Sequence, residues 1–178
     1  IFGVSCLRFM TGVHMPVIFL DIDGVLRVNH TLPAAQFDIP QLQLFKNIKI
    51  ETGARCVLSS TWRLYPRHRM AVRKILNIDE YTPDMRAGFR SVDIIKFVET
   101  YNLCSERIVI IDDDITAHIY GMPNVCNIVT DPRVGLTVEH ASRVIEFCNS
   151  PTLPEVPHAE KTNDSVLQDC VQKISQVN

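Results

Sequence analysis

The chain is poor in several features that would classify it at once. It has one tryptophan and seven glycines in 178 residues, far too little glycine for a collagen-like or low-complexity polymer. No run of about eighteen uncharged apolar residues occurs, so no membrane contact through a spanning helix is expected. Neither sign of charge dominates: 18 lysines and arginines face 20 aspartates and glutamates, a net charge of −2. That balance excludes a bulk polycation, and any contact with nucleic acid must come from a local patch. The six cysteines stand singly, without a Cys-x-x-Cys pair. A zinc framework or a disulfide scaffold does not fit such spacing, and reduced thiols in a cytoplasmic or other reducing compartment are expected. His14, His30, His118 and His140 show no metal-ligand spacing.

What is present is concentrated at three points. Val17-Ile18-Phe19-Leu20 runs straight into Asp21-Ile22-Asp23-Gly24-Val25. Four apolar residues in a row read as a strand buried on both faces, the type found inside parallel sheets. Ligands of open α/β sheets bind just beyond the carboxyl ends of such strands. Asp21 and Asp23 therefore stand where chemistry is expected, and Gly24 lets the backbone turn away. Two carboxylates so close repel unless a cation or a shared proton separates them, and Mg2+, a hard ion with oxygen ligands, is the natural partner. The bland alternative is an acidic turn. A second apolar run, Ile108 to Ile111, also ends in acid, at Asp112, Asp113 and Asp114. A third, Cys56-Val57-Leu58, ends in the hydroxyls of Ser59, Ser60 and Thr61. Three strands ending in oxygen-bearing side chains can assemble one site at one sheet edge.

In this order the segments FLDIDGVL, VLSS and IIDDD resemble the first, second and fourth motifs of the haloacid dehalogenase (HAD) superfamily of phosphohydrolases and phosphotransferases. The details LSSTWR, IDDD and the late Gly135-Leu136-Thr137 look most like the domain of Swiss Army knife RNA-repair proteins. The resemblance covers about residues 16 to 148. It implies that Asp21 is the nucleophile toward phosphorus and Asp23 the general acid-base. It also implies Mg2+ held by Asp21, by the backbone carbonyl of Asp23 and by the fourth motif, with Asp113 ahead of Asp112. Ser59, with Ser60 as its close rival, is expected on the phosphoryl oxygens. The third-motif cation is expected at Arg90, with Arg86 second, since no lysine lies between Lys74 and Lys96. Asp114 has a competing reading as a helix cap. Val25 departs from the family pattern, which often has threonine there.

The remaining pattern alternates strands and helices. Helices are expected over Ile39 to Ile50 with Gly53 as the stop, from Pro66 to Ile78, from a Ser91 N-cap to Tyr101, and from a Thr137 cap to Cys148. Short strands are expected at Ala54–Leu58, Tyr81-Thr82 and Val125–Val129. This predicts an α/β fold: a doubly wound, Rossmann-like parallel sheet of about five strands with helices on both faces. The connections leave no room for a large cap domain, and a capless edge admits a polymer end. Residues 26 to 38 form a polar loop that could flap over the site. The expected organisation is an N-terminal extension over 1–15, one phosphatase domain over 16–149 and a C-terminal segment over 150–178. Met15 is a plausible natural start, and a leader peptide is not expected because it would remove the first motif. The C-terminal segment combines a proline-containing linker with a helical stripe of Val166, Leu167, Cys170, Val171 and Ile174. That stripe packs back on the core or meets a partner domain or chain.

Between Thr52 and Ile78 there is no acid, while Arg55, Arg63, Arg67, Arg69, Arg73 and Lys74 are interleaved with Trp62, Tyr65 and His68. Aromatics for bases and arginines for phosphates are how single-stranded nucleic acid is held. Trp62, Arg63, Arg67 and Arg69 are thus candidate nucleic-acid contacts. The plain alternative is a solvated helix face with Trp62 packed inward. The first functional reading is a Mg2+-dependent phosphatase acting on an RNA or DNA end. Hydrolysis of small phosphomonoesters, nucleotides or phosphoproteins competes with it, and a non-catalytic module that binds phosphorylated ends stands further off.

Overall fold

The computed structural model describes residues 15–28, 33, 36–86 and 88–151. The expectations for residues 1–14, for the tip of the 26–38 loop and for the C-terminal linker and stripe lie outside these residues.

Five parallel strands form a single sheet in the order β3-β2-β1-β4-β5, where β1 is Val17–Leu20, β2 Arg55–Leu58, β3 Glu80–Tyr81, β4 Ile108–Asp112 and β5 Val125–Val129. All four residues of β1 are buried, as are all five of β4. That is the reason both read as unbroken apolar runs: a central strand covered on both faces has no solvent side to alternate with. Alternate side chains feed two cores. Ile18, Leu20, Val109 and Ile111 pack with Phe45, Ile48, Val72 and Val144 on one face. Val17, Phe19, Ile108 and Ile110 pack with Ile94, Phe97 and Val98 on the other.

The helices are α1 (Ile39–Thr52), α2 (Pro66–Leu76), α3 (Arg90–Thr100) and α4 (Val138–Asn149). The expected stop signals operate: Gly53 ends α1 with φ 59°, in the left-handed region where glycine is at no disadvantage. Pro66 opens α2. Thr137 and His140 close a reciprocal cap on α4. One expected cap is displaced. Ser91 lies inside the first turn of α3, and Phe89 holds the cap position with no side-chain bond. The helix begins one residue before Ser91, at Arg90, whose side chain pairs with Asp21 and Asp112.

The order of the strands positions the site. The chain leaves β1 for β2 and β3 on one side, then returns to β4 on the other. The reversal falls between β1 and β4, the point where ligands settle in open α/β sheets. Among the described residues no separate cap domain covers that edge.

Candidate active site

Asp21 follows the last residue of β1, and its backbone N–H donates to Ile111 O at 2.9 Å, one strand over. The next six residues wind into a tight turn in which the N–H groups of Val25, Leu26 and Arg27 all converge on Ile22 O. Gly24 sits in it at φ +74°, and a Cβ there would lie 2.5 Å from Asp113 Cγ. Glycine is therefore required twice, by the turn and by the close approach of Asp113. The far end of the sheet fastens this turn. Thr130 Oγ1 donates to Gly24 O at 2.8 Å and Leu136 N to Val25 O at 2.9 Å. Val25, where relatives often carry threonine, is wholly buried and acts as packing.

Three carboxylates meet here. Asp21, Asp112 and Asp113 each place an oxygen within 4.8 Å of the others. Asp112 is fully buried and both its oxygens are engaged, Oδ1 by Asp114 N at 2.9 Å and Oδ2 by Arg90 Nη1 at 2.6 Å. The same Arg90 nitrogen lies 2.8 Å from Asp21 Oδ2. Burial pushes the Asp112 carboxyl well above the usual carboxylate range, with Asp21 adding to the shift and Arg90 opposing it. Asp113 is raised by its own burial and then by Asp21. Burial works against the Arg90 charge, yet Asp21 and Asp112 outweigh it and hold the guanidinium above its ordinary value. Arg90, in the first turn of α3, is thus the cation at the cluster. Arg86 is exposed, at φ 54°, on the loop before it. Asp114 takes its other role: its carboxylate caps the short turn Ile115–Ala117 by accepting from Thr116 N at 2.9 Å.

Asp23 stands apart from the three. Its carboxylate accepts from Trp62 Nε1 at 2.7 Å on Oδ2 and from Arg27 Nη1 at 2.9 Å on Oδ1. Arg27 was not singled out by sequence, although its place four residues after Asp23 carried the signal. The two serines are distinguished by their bonds. Ser60 Oγ accepts from Trp62 N at 3.3 Å and caps the short 3-10 turn Thr61–Leu64. Ser59 Oγ is buried with no hydrogen-bond partner among the described residues, an unspent hydroxyl at the end of β2.

The nucleic-acid patch read from composition divides. Trp62 and Arg63 do not belong to an open binding surface. Trp62 is only 4% exposed, packed between Phe37 and His68. Arg63 is buried: it pairs with Asp93 of α3 and donates to the carbonyls of Ser59 at 2.5 Å and Ser60 at 2.9 Å. Asp93 in turn accepts from Met85 N at 2.8 Å. Burial lowers the Arg63 pKa from its ordinary value and Asp93 opposes that shift. The residue clamps the serine loop to the helix that carries Arg90. Asp93, thirty positions away, is the partner that charge counting along the chain could not see. Arg67 and Arg69 are exposed on α2, the latter with its guanidinium 5.7 Å from the Tyr81 ring centre.

Removing one partner of a buried ion pair strands the other. Arg63→Ala is expected to cost about 3–5 kcal/mol of folding stability, while Arg67→Ala stays within about 0.5 kcal/mol. Urea unfolding of both variants checks this, and similar midpoints for the two would contradict the clamp.

Among the described residues no helix is long and apolar enough to cross a membrane. Comparison with curated proteins and with solved structures returns no match. Comparison with protein families does: residues 17–141 match the family described as the HAD domain in Swiss Army Knife RNA repair proteins. The matched stretch runs from the first residue of β1 into α4, and so takes in Asp21, Asp23, Ser59, Arg90 and the triple aspartate. The chain belongs to this family of HAD domains of RNA-repair proteins, and through it to the HAD-type phosphohydrolases.

Proposed function

We propose that the protein is a Mg2+-dependent phosphatase that acts on phosphorylated nucleic-acid ends through an aspartyl-phosphate on Asp21. The observation that carries the reading is the pairing of a buried Asp21 with Arg90 at the switch point of the sheet, beside the carboxylates of β4. Asp21 attacks phosphorus as the bond to the leaving oxygen breaks, and Asp23 gives that oxygen its proton. Asp23 then takes a proton from water as the water oxygen attacks phosphorus and the bond to Asp21 breaks, which restores both side chains. Arg90 holds Asp21 in line and offers its charge to the phosphoryl oxygens. The unspent hydroxyl of Ser59 supplies a donor to the same oxygens.

The donor set suits a divalent cation. Three carboxylates against one guanidinium leave an excess of negative charge at oxygen ligands, the chemistry that Mg2+ seeks. Asp21, Asp113 and the backbone carbonyl of Asp23 are the expected ligands. Asp112, with both oxygens engaged, stands behind them. When bound, the ion neutralises charge on the transferring phosphoryl group.

The polymer reading is supported by the exposed face of α2. Arg67 and Arg69 are exposed, and Tyr65, 56% exposed at the start of the helix, offers a ring for stacking. Among the described residues no lid domain covers the edge.

Three outcomes are expected. In a phosphate-release screen with Mg2+ over 3′- and 5′-phosphorylated RNA and DNA, nucleotides and phosphopeptides, the ends are preferred. Asp21→Asn abolishes turnover there, and Asp23→Asn slows it by about 10²–10⁴; full activity of Asp21→Asn would remove the covalent mechanism. In thermal melts without substrate, Mg2+ at about a hundred times its dissociation constant adds roughly 2.7 kcal/mol. Asp114→Ala retains that gain and Asp113→Ala loses it, so equal gains would exclude Asp113 as a ligand. Finally, Arg67→Ala/Arg69→Ala weakens kcat/KM on an oligonucleotide end and flattens its salt dependence by up to about two phosphate contacts. An aryl phosphate is hydrolysed as before. If the double variant leaves the oligonucleotide rate unchanged as well, small phosphomonoesters become the better substrate class.

A further inference from the structure

The carboxylate of Asp23 is 42% exposed, far more open than Asp21 at 5%. An aspartate that open samples several rotamers in solvent. Here both its oxygens are held, one by Trp62 Nε1 at 2.7 Å and the other by Arg27 Nη1 at 2.9 Å. The two donors differ in rigidity. Arg27 lies four residues on in the same turn, so it moves with Asp23. Trp62 belongs to another segment and is locked three ways: its ring lies 5.5 Å from Phe37 and 4.6 Å from His68, and its backbone N–H is capped by Ser60. The turn that carries it is tied down by the Arg63–Asp93 ion pair. Trp62 is thus a fixed post against which the exposed carboxylate of Asp23 rests.

We infer that Trp62 is a positioning residue for Asp23: its indole N–H fixes the plane and direction of the acid-base carboxylate. The inference rests on the phosphohydrolase reading for its consequence, although the contact itself does not. Each carboxylate oxygen has two lone pairs, so a donor on one leaves room for the catalytic proton. Orientation matters most when the leaving group is a poor one. A sugar alkoxide needs its proton as the bond to phosphorus breaks, whereas p-nitrophenolate leaves without help. Trp62 therefore favours alkyl and sugar phosphates over activated esters.

This is the only tryptophan in the chain, so one indole N–H resonance reports the contact without ambiguity. In the 178-residue protein that resonance is expected to be protected from solvent exchange, and Asp23→Ala shifts it and speeds its exchange. Trp62→Phe keeps the ring and removes the donor. It is expected to lower kcat on a nucleoside 3′-phosphate by about tenfold or more, a share of the usual worth of a general acid. Its loss on p-nitrophenyl phosphate is several-fold smaller. In an Asp23→Asn background Trp62→Phe adds nothing further, because the group it serves is gone. An indole resonance indifferent to Asp23→Ala would overturn the contact. Equal losses on both esters, repeated in the Asp23→Asn background, would overturn the positioning role and leave a packing role. A wild-type protein inert toward every phosphomonoester, with the indole still responding to Asp23→Ala, would remove the phosphohydrolase reading while the contact stood. Should Trp62→Phe fail to fold, His68→Leu, which removes one of the rings that lock Trp62, takes its place in the same two-ester comparison, and equal losses on both esters there count against the inference.

Discussion

Asp21, Asp112 and Asp113 bring carboxylate oxygens within 4.8 Å of one another at the ends of two neighbouring strands, and like charges at that spacing repel. At about 4 Å a pair of unit charges interacts by roughly 4 kcal/mol for an effective dielectric of about 20. The chain must supply a frame stiff enough to hold them there. It does so by burying β1 and β4 entirely and registering them residue for residue, Val17 on Ile108 through Leu20 on Ile111. It then places Arg90 between two of the three carboxylates and ties Asp112 to the backbone of Asp114. Burial first, and the nearby Asp21 after it, still hold the carboxyl groups of Asp112 and Asp113 above their ordinary values. A site so arranged gathers three carboxyl groups around one guanidinium at the edge of the sheet.

The same requirement accounts for residues far from the chemistry. Arg63 and Asp93 are buried charges joined to each other, to the serine loop and to the loop before α3. They make the end of β2 and the start of α3 move as one piece, so Ser59 and Arg90 keep their separation. On the opposite side, Thr130 and Leu136 hold the turn after Asp21 from the end of β5 and the loop beyond it. Gly135 allows that grip, since a Cβ at this position would lie 2.5 Å from Val25 O.

The strands and the carboxylates were legible in the sequence because burial on both faces writes itself as consecutive apolar residues. β1, β4 and β5 end within a residue of where VIFL, IVII and VCNIV indicate. β3, only two residues long, offered little pattern and is displaced by one. What composition could not reveal was pairing across the fold. An acid-free stretch rich in arginine reads as a basic patch until Asp93 is seen against Arg63 and Glu80 against Arg55. The single tryptophan is subject to the same blindness: its indole nitrogen turns toward Asp23, thirty-nine positions away. Ser59 and Ser60 are indistinguishable by type, and only the capping bond to Trp62 N separates them.

The pairing of β1 with β4 also sets a timetable. Val17 finds its rung on Ile108 only after about ninety further residues have been made, which at 5–20 residues per second takes on the order of 5–20 s on the ribosome. Until then the strand ahead of Asp21 has β2 on one edge and an open ladder on the other, an invitation to wrong partners. The grip of Leu136 on Val25 comes later still. A nascent chain interrupted before β4 would thus carry Asp21 but neither the acid cluster nor the fastened turn. The site is completed late in synthesis, first by β4 and then by the segment beyond β5.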